Sequence, residues 1–240
     1  MYRTENIGCG LGPKTAIDWL FEHEEEGIIL EDDCVPSQSF FRYCAELLDR
    51  YRHDTRIMHI GGSNFQEGYV PDLDYSYYFS YFSHEWGWAT WRRAWKLYDF
   101  NIATYPEIQD KGYLEEFFSG YLEKKYRLSK TNKTLKSASI SWWDYQWDYA
   151  KFINAGLSII PNKNLITNIG FGDDATHTKS SNDVRKKNMA EELDFPLRHP
   201  PFMIRNAKAD KRYFRRFFWR VILLRKIAGL LGIKGYSAGG

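Results

Sequence analysis

Short apolar runs, each cut off by glycine or by charge, alternate along this chain with longer stretches of helical period, and that alternation limits the folds open to it. "GIIL" (27–30) sits between Gly27 and the carboxylates Glu31, Asp32 and Asp33, and reads as a buried parallel strand. "RIMHIGG" (56–62), "SYYFSYF" (76–82), "LSIIP" (157–161) and "NLITNIGFG" (164–172) read as further strands. Between them the period changes. "GPKTAIDWLFEHEEE" puts Ala16, Ile17, Leu20 and Phe21 on one helical face, with Pro13 near its start. "PSQSFFRYCAELLDRYR" does the same with Phe40, Phe41, Cys44, Leu47, Leu48 and Tyr51. "TWRRAWKLYD", "GYLEEFFSGYLEKKY" and "SWWDYQWDYAKFINAG" also read as helices, the last closed by Gly156. The expected class is therefore α/β, with a mostly parallel sheet and flanking helices.

Charge divides the chain. From Arg205 to Lys234 there are ten basic residues and one acid, Asp210, a net +9; the net charge of the whole is +2, so the rest carries −7. The prolines of "PLRHPPFMIRN" (196–206) mark the expected boundary between a domain over 1–200 and a tail over 201–240. In the tail, "DKRYFRRFFWRVILLRKIAGLLGIK" spaces Phe214, Phe217, Phe218, Val221, Leu224 and Ile227 near the helical period, among Arg212, Arg215, Arg216 and Arg220. That composition suits an interfacial helix, and residues 211–234 are expected to meet a membrane surface. A helix docked on the acidic body is the alternative. No nucleic-acid motif accompanies the charge, so no nucleic acid is expected. "MYRTENIGCG" lacks the apolar core of a signal peptide, and Cys9, Cys34 and Cys44 form no paired pattern. Reduced thiols and a cytoplasmic, membrane-peripheral location are expected.

Three adjacent carboxylates at the end of a strand repel one another unless a divalent cation joins them, and Mn²⁺ or Mg²⁺ prefers such oxygen ligands. A solvated acidic turn, or Asp32 capping the next helix, is the plainer reading. Asp144 and Asp148 lie four apart and share a helical face, as a general base would in one reading and as an ordinary surface pair would in the other. Trp142, Trp143 and Trp147 flank these acids, and Trp86, Trp88 and Trp91 cluster in "HEWGWATW". Aromatics make up 18% of the chain, enough to fill a core and still leave rings for a binding surface.

"EGIILEDDCVPSQSFFRYCAELL" resembles the metal-site segment of nucleotide-diphospho-sugar glycosyltransferases with the GT-A fold, and is similar to the N-acetylglucosaminyltransferase I type with its E-D-D sequence. "YYFSYFSHEWGWATWRRAW" resembles that group's acceptor-side segment. "SWWDYQWDYAKFINAGLSIIPNKNLITNIGFGDDATHT" resembles its W-D helix and the strand and Phe-Gly…His stretch after it. The resemblance spans roughly residues 5–180. It implies a GT-A-like, Rossmann-like sheet and an inverting, metal-dependent transfer from a nucleotide sugar, most simply a UDP-sugar, to a glycan or lipid-linked acceptor. Asp33 would bind Mn²⁺ or Mg²⁺, joined by His177. Glu31 and Asp32 would contact the ribose or metal-bound water, and Asn6 and Gly8 would lie near the nucleotide. Asp144 would be the base, with Asp148 its substitute. Trp86, Gly87, Trp88 and Trp143 would face the acceptor. A GT-A domain opens with a strand–helix–strand unit, and here the helix before "GIILEDD" leaves no room for it, so the resemblance also implies an N-terminally incomplete domain of uncertain activity. A metal-dependent phosphohydrolase and a non-catalytic, membrane-associated glycan-binding remnant are the competing functions.

Overall fold

The computed structural model describes residues 4–69, 71, 74–113, 120–136, 142–170 and 188–219. Helix α1 (Gly8–His23) leads into strand β1 (Glu26–Ile29). A tight turn carries the chain into β2 (Cys34–Pro36) and helix α2 (Gln38–Arg50). Strands β3 (Ile57–Gly61), β4 (Tyr77–Ser80) and β5 (Trp88–Trp91) follow, then helices α3 (Arg92–Trp95), α4 (Tyr105–Asp110), α5 (Tyr121–Lys136) and α6 (Asp144–Ile153). Strands β6 (Leu157–Pro161) and β7 (Ile166–Asn168) precede helix α7 (Ala207–Phe214), which runs on into a π-helical turn over Arg215–Trp219.

The class is α/β, but the sheet is mixed where a mostly parallel one is expected. Five strands pair in the order β1-β5-β3-β6-β4, and only β3 and β6 run parallel. β1, the "GIIL" strand, is antiparallel to β5, with Gly27 opposite Thr90 and Ile29 opposite Trp88. "TWRRAWKLYD" (90–99) is helical over α3 alone, Arg92–Trp95; its first two residues, Thr90 and Trp91, instead end the interior strand β5. An apolar run carries no record of its partner's direction, and tryptophans three apart suit a helix face by period, whereas here the pleat sends Trp88 and Trp91 to opposite cores.

The pleat sends successive residues to opposite faces, so the sheet separates two cores. On one side α2 buries Phe40, Tyr43, Cys44, Leu47 and Leu48 against Ile57, Ile60, Phe79, Ala89, Trp91 and Ile159. On the other, Ile17 and Phe21 of α1 and Trp147 of α6 pack with Met58, Trp88 and Trp95. α6 ends with the Gly156 amide donating to the Lys151 carbonyl (2.8 Å), while Ala155 takes the left-handed conformation (φ 52°).

The tail begins docked. Asp210 of α7 is 2% exposed and accepts from Ser80 Oγ (2.6 Å), Arg205 Nε (2.5 Å) and the Tyr81 amide (3.3 Å). Tyr213 packs edge-on against Phe82 and His84, and Phe217 against Phe65. The expected boundary near residue 200 is therefore not a packing boundary as far as Phe217. Residues 220–234 lie outside the described residues. Among the described residues no helix is long and apolar enough to cross a membrane.

Candidate metal and transfer site

The carboxylates occupy the turn between β1 and β2, closed by the Cys34 amide donating to the Glu31 carbonyl (3.1 Å). β2 pairs antiparallel with β7, and the Ile169 amide donates to the Asp33 carbonyl (2.8 Å). This pairing brings Gly170 onto the Asp33 side chain. A Cβ at Gly170 would lie 2.1 Å from Asp33 Oδ2, so any side chain there would have to displace that of Asp33. Gly87 has a second such role. At φ 62°, a Cβ there would fall 2.4 Å from Ile166 and 3.2 Å from Leu30, the residue before Glu31. Gly87 thus seals the loop before β5 against β7 and the end of β1, behind the carboxylates.

Glu31, Asp33 and Cys34 each offer a ligand atom, all within 4.8 Å of one another, while Asp32 points outward and is exposed. Burial pushes the Glu31 carboxyl up to about 7; the charges of Asp33, Asp144 and Asp32 push the same way, and a side-chain hydrogen bond from Trp143 opposes them. The cluster is therefore short of positive charge. Two carboxylates held this close fit a hard divalent cation. Cys34 does not: burial and the neighbouring carboxylates push its thiol up to about 12, leaving it protonated.

Asp144 enters from the first residue of α6, more than a hundred positions away in sequence, where the helix N-terminus favours a carboxylate. Asp148, one turn on, is differently placed. It accepts from the Ser83 hydroxyl at short range, and Arg127 Nη1 and Lys151 Nζ each lie 3.5 Å from it. Lys151 is fully buried and also donates to Ser83 Oγ (2.9 Å) and the Tyr81 carbonyl (3.2 Å). Half-buried Glu85 completes this group; burial, Asp148 and Asp144 raise its pKa well above the usual range, and Lys151 counteracts them. Lys151, Arg127 and Glu85 are inconspicuous in the sequence, because an isolated Lys, Arg or Glu ordinarily belongs to solvent. The spacing of Lys151 three after Asp148 was the available signal.

Two tryptophans expected at an acceptor surface are interior. Trp88 is 0% exposed, stacked between His59 (5.0 Å) and Trp143 (5.6 Å). Trp143 is 4% exposed and holds Glu31. The Trp147 indole donates to His59 Nδ1 (3.2 Å), which braces the stack. Trp86 and Trp142 are half-buried and retain accessible area. Asn6 and Gly8 form an exposed turn that opens α1, the Gly8 amide donating to Asn6 Oδ1 (2.8 Å). His177 lies outside the described residues.

No family model matches the chain, and no curated protein matches it either.

Proposed function

We propose that this chain is a metal-dependent glycosyltransferase of GT-A-like architecture that moves a sugar, with inversion, from a nucleoside-diphosphate donor to a hydroxyl of a glycan or lipid-linked acceptor. The observation that carries the reading is the meeting at Glu31 of two distant segments, the E-D-D turn and the start of α6 with Trp143 and Asp144. Each part suits one task. Asp33 and Glu31 would hold Mn²⁺ or Mg²⁺, and exposed Asp32 would face the ribose. A cation held there would supply positive charge against the departing diphosphate. Asp144 takes the proton from the acceptor hydroxyl as its oxygen bonds to the anomeric carbon; the bond from that carbon to the donor phosphate breaks, and the nucleoside diphosphate leaves with the electron pair. Asp148, engaged by Ser83, Arg127 and Lys151, holds the α6 end of the site in place. Trp86 and Trp142 offer ring faces to the acceptor.

Asp144→Asn tests the division of labour. Donor should bind as to the parent in calorimetry, while transfer falls by about 10²–10⁴-fold. Equal loss in Asp148→Asn, with Asp144→Asn near the parent rate, would reverse the assignment.

A further inference from the structure

We infer that the docked beginning of the basic tail is a binding site for the phosphate groups of anionic lipid headgroups. A cleft of about 930 Å³ is lined by Lys208, Lys211, Arg212, Arg215 and Arg216, with Glu67 its one acid. Two of the five cations are committed. Arg216 pairs with Glu67, and Arg212 donates to the carbonyls of Gln66 and Glu67 (3.2 Å each). Lys208, Lys211 and Arg215 are exposed, and among the described residues they have no acidic partner. Uncompensated cations converging on one concavity repel each other, so something else must hold them there. The opposite side of α7 does so. Asp210 is clamped by Ser80, Arg205 and Tyr81, Ala209 is buried with its carbonyl accepting from Gln66 Nε2 (3.0 Å), and Phe214 is buried. The helix is pinned by its apolar and acidic side and presents its cations outward.

Lysine and arginine together suit a phosphate anion, the one as a compact charge and the other as a planar fork. Lipid is the source favoured by the flanking chain. Phe202 and Ile204, just before the helix, are 71% and 73% exposed. The sequence after the cleft continues with Arg220, Arg225 and Lys226 among Val221, Ile222, Leu223 and Leu224. The cleft shares no residue with the carboxylate site, and the inference stands or falls apart from the proposed chemistry.

Co-sedimentation of the full chain with phosphatidylcholine vesicles, with and without phosphatidylglycerol, tests it. Binding is expected only with the anionic lipid and should weaken as salt rises. Lys211→Glu/Arg215→Glu, with circular dichroism confirming the fold, should bind about tenfold more weakly or worse. Exposed Lys96, outside the cleft, serves as the control: Lys96→Glu should bind like the parent. Equal binding to neutral vesicles, or parental binding by the double variant, overturns the inference. So does capture of inorganic phosphate by a chain that ignores both vesicles.

Discussion

Glu31 bears the cost of burial, to which the charges of Asp33, Asp144 and Asp32 add, and that cost has a definite sign. Its folded pKa, about 7, lies above the ordinary 4.5. The folded chain therefore holds a proton that the unfolded chain has released, and this contributes stability below pH 4.5 that is lost as pH rises through 7. Without divalent cation, Glu31→Gln should be more stable than the parent by about 2–3 kcal/mol at pH 8, the gap closing toward pH 4.5. Urea denaturation of both chains in chelator, across that range, checks it; an equal gap at both ends would show that Glu31 is solvated. The E-D-D triplet was plain in the sequence. That Trp143 and Asp144 press on it was not, because the contact depends on β1 and α6 meeting across the fold.

At the scale of elements, strong apolar faces were legible: α2 buries Phe40, Cys44, Leu47 and Leu48 as its period requires, and β3 and β6 lie where their runs place them. Strand direction was not, because β1 and β5 would show the same apolar runs in a parallel pair. Nor was the interior of α6, whose fully buried Lys151 breaks the rule that lysine marks the wet face. Lys151 lies 3.5 Å from the Asp148 carboxylate and also feels the charge of Glu85. Lys151→Met should therefore cost about 3–5 kcal/mol, since it strands buried negative charge, and adding Asp148→Asn should recover part of the loss. Denaturation midpoints of the two variants measure this. A single-variant loss under about 1 kcal/mol would mean that solvent already screens the group.

At the scale of the molecule, the sequence divides acidic body from basic tail, and the structure joins them as far as Phe217. The helical spacing of Phe214, Phe217 and Phe218 fits a bilayer or a protein surface equally well. The deciding residue is Asp210, the tail's one acid, which inserts at Ser80 and fixes α7 to β4. The carboxylate site joins β1, β7 and α6 through Leu30, Gly87, Gly170 and Trp143, and the proposal is that a divalent cation and a nucleoside diphosphate bind there. Calorimetric titration of the purified chain with UDP, with and without Mn²⁺ and beside Asp33→Ala, puts that claim to its most direct test. The expected result is binding that requires Mn²⁺ and that Asp33→Ala abolishes; UDP binding indifferent to the metal, or retained by the variant, would contradict it.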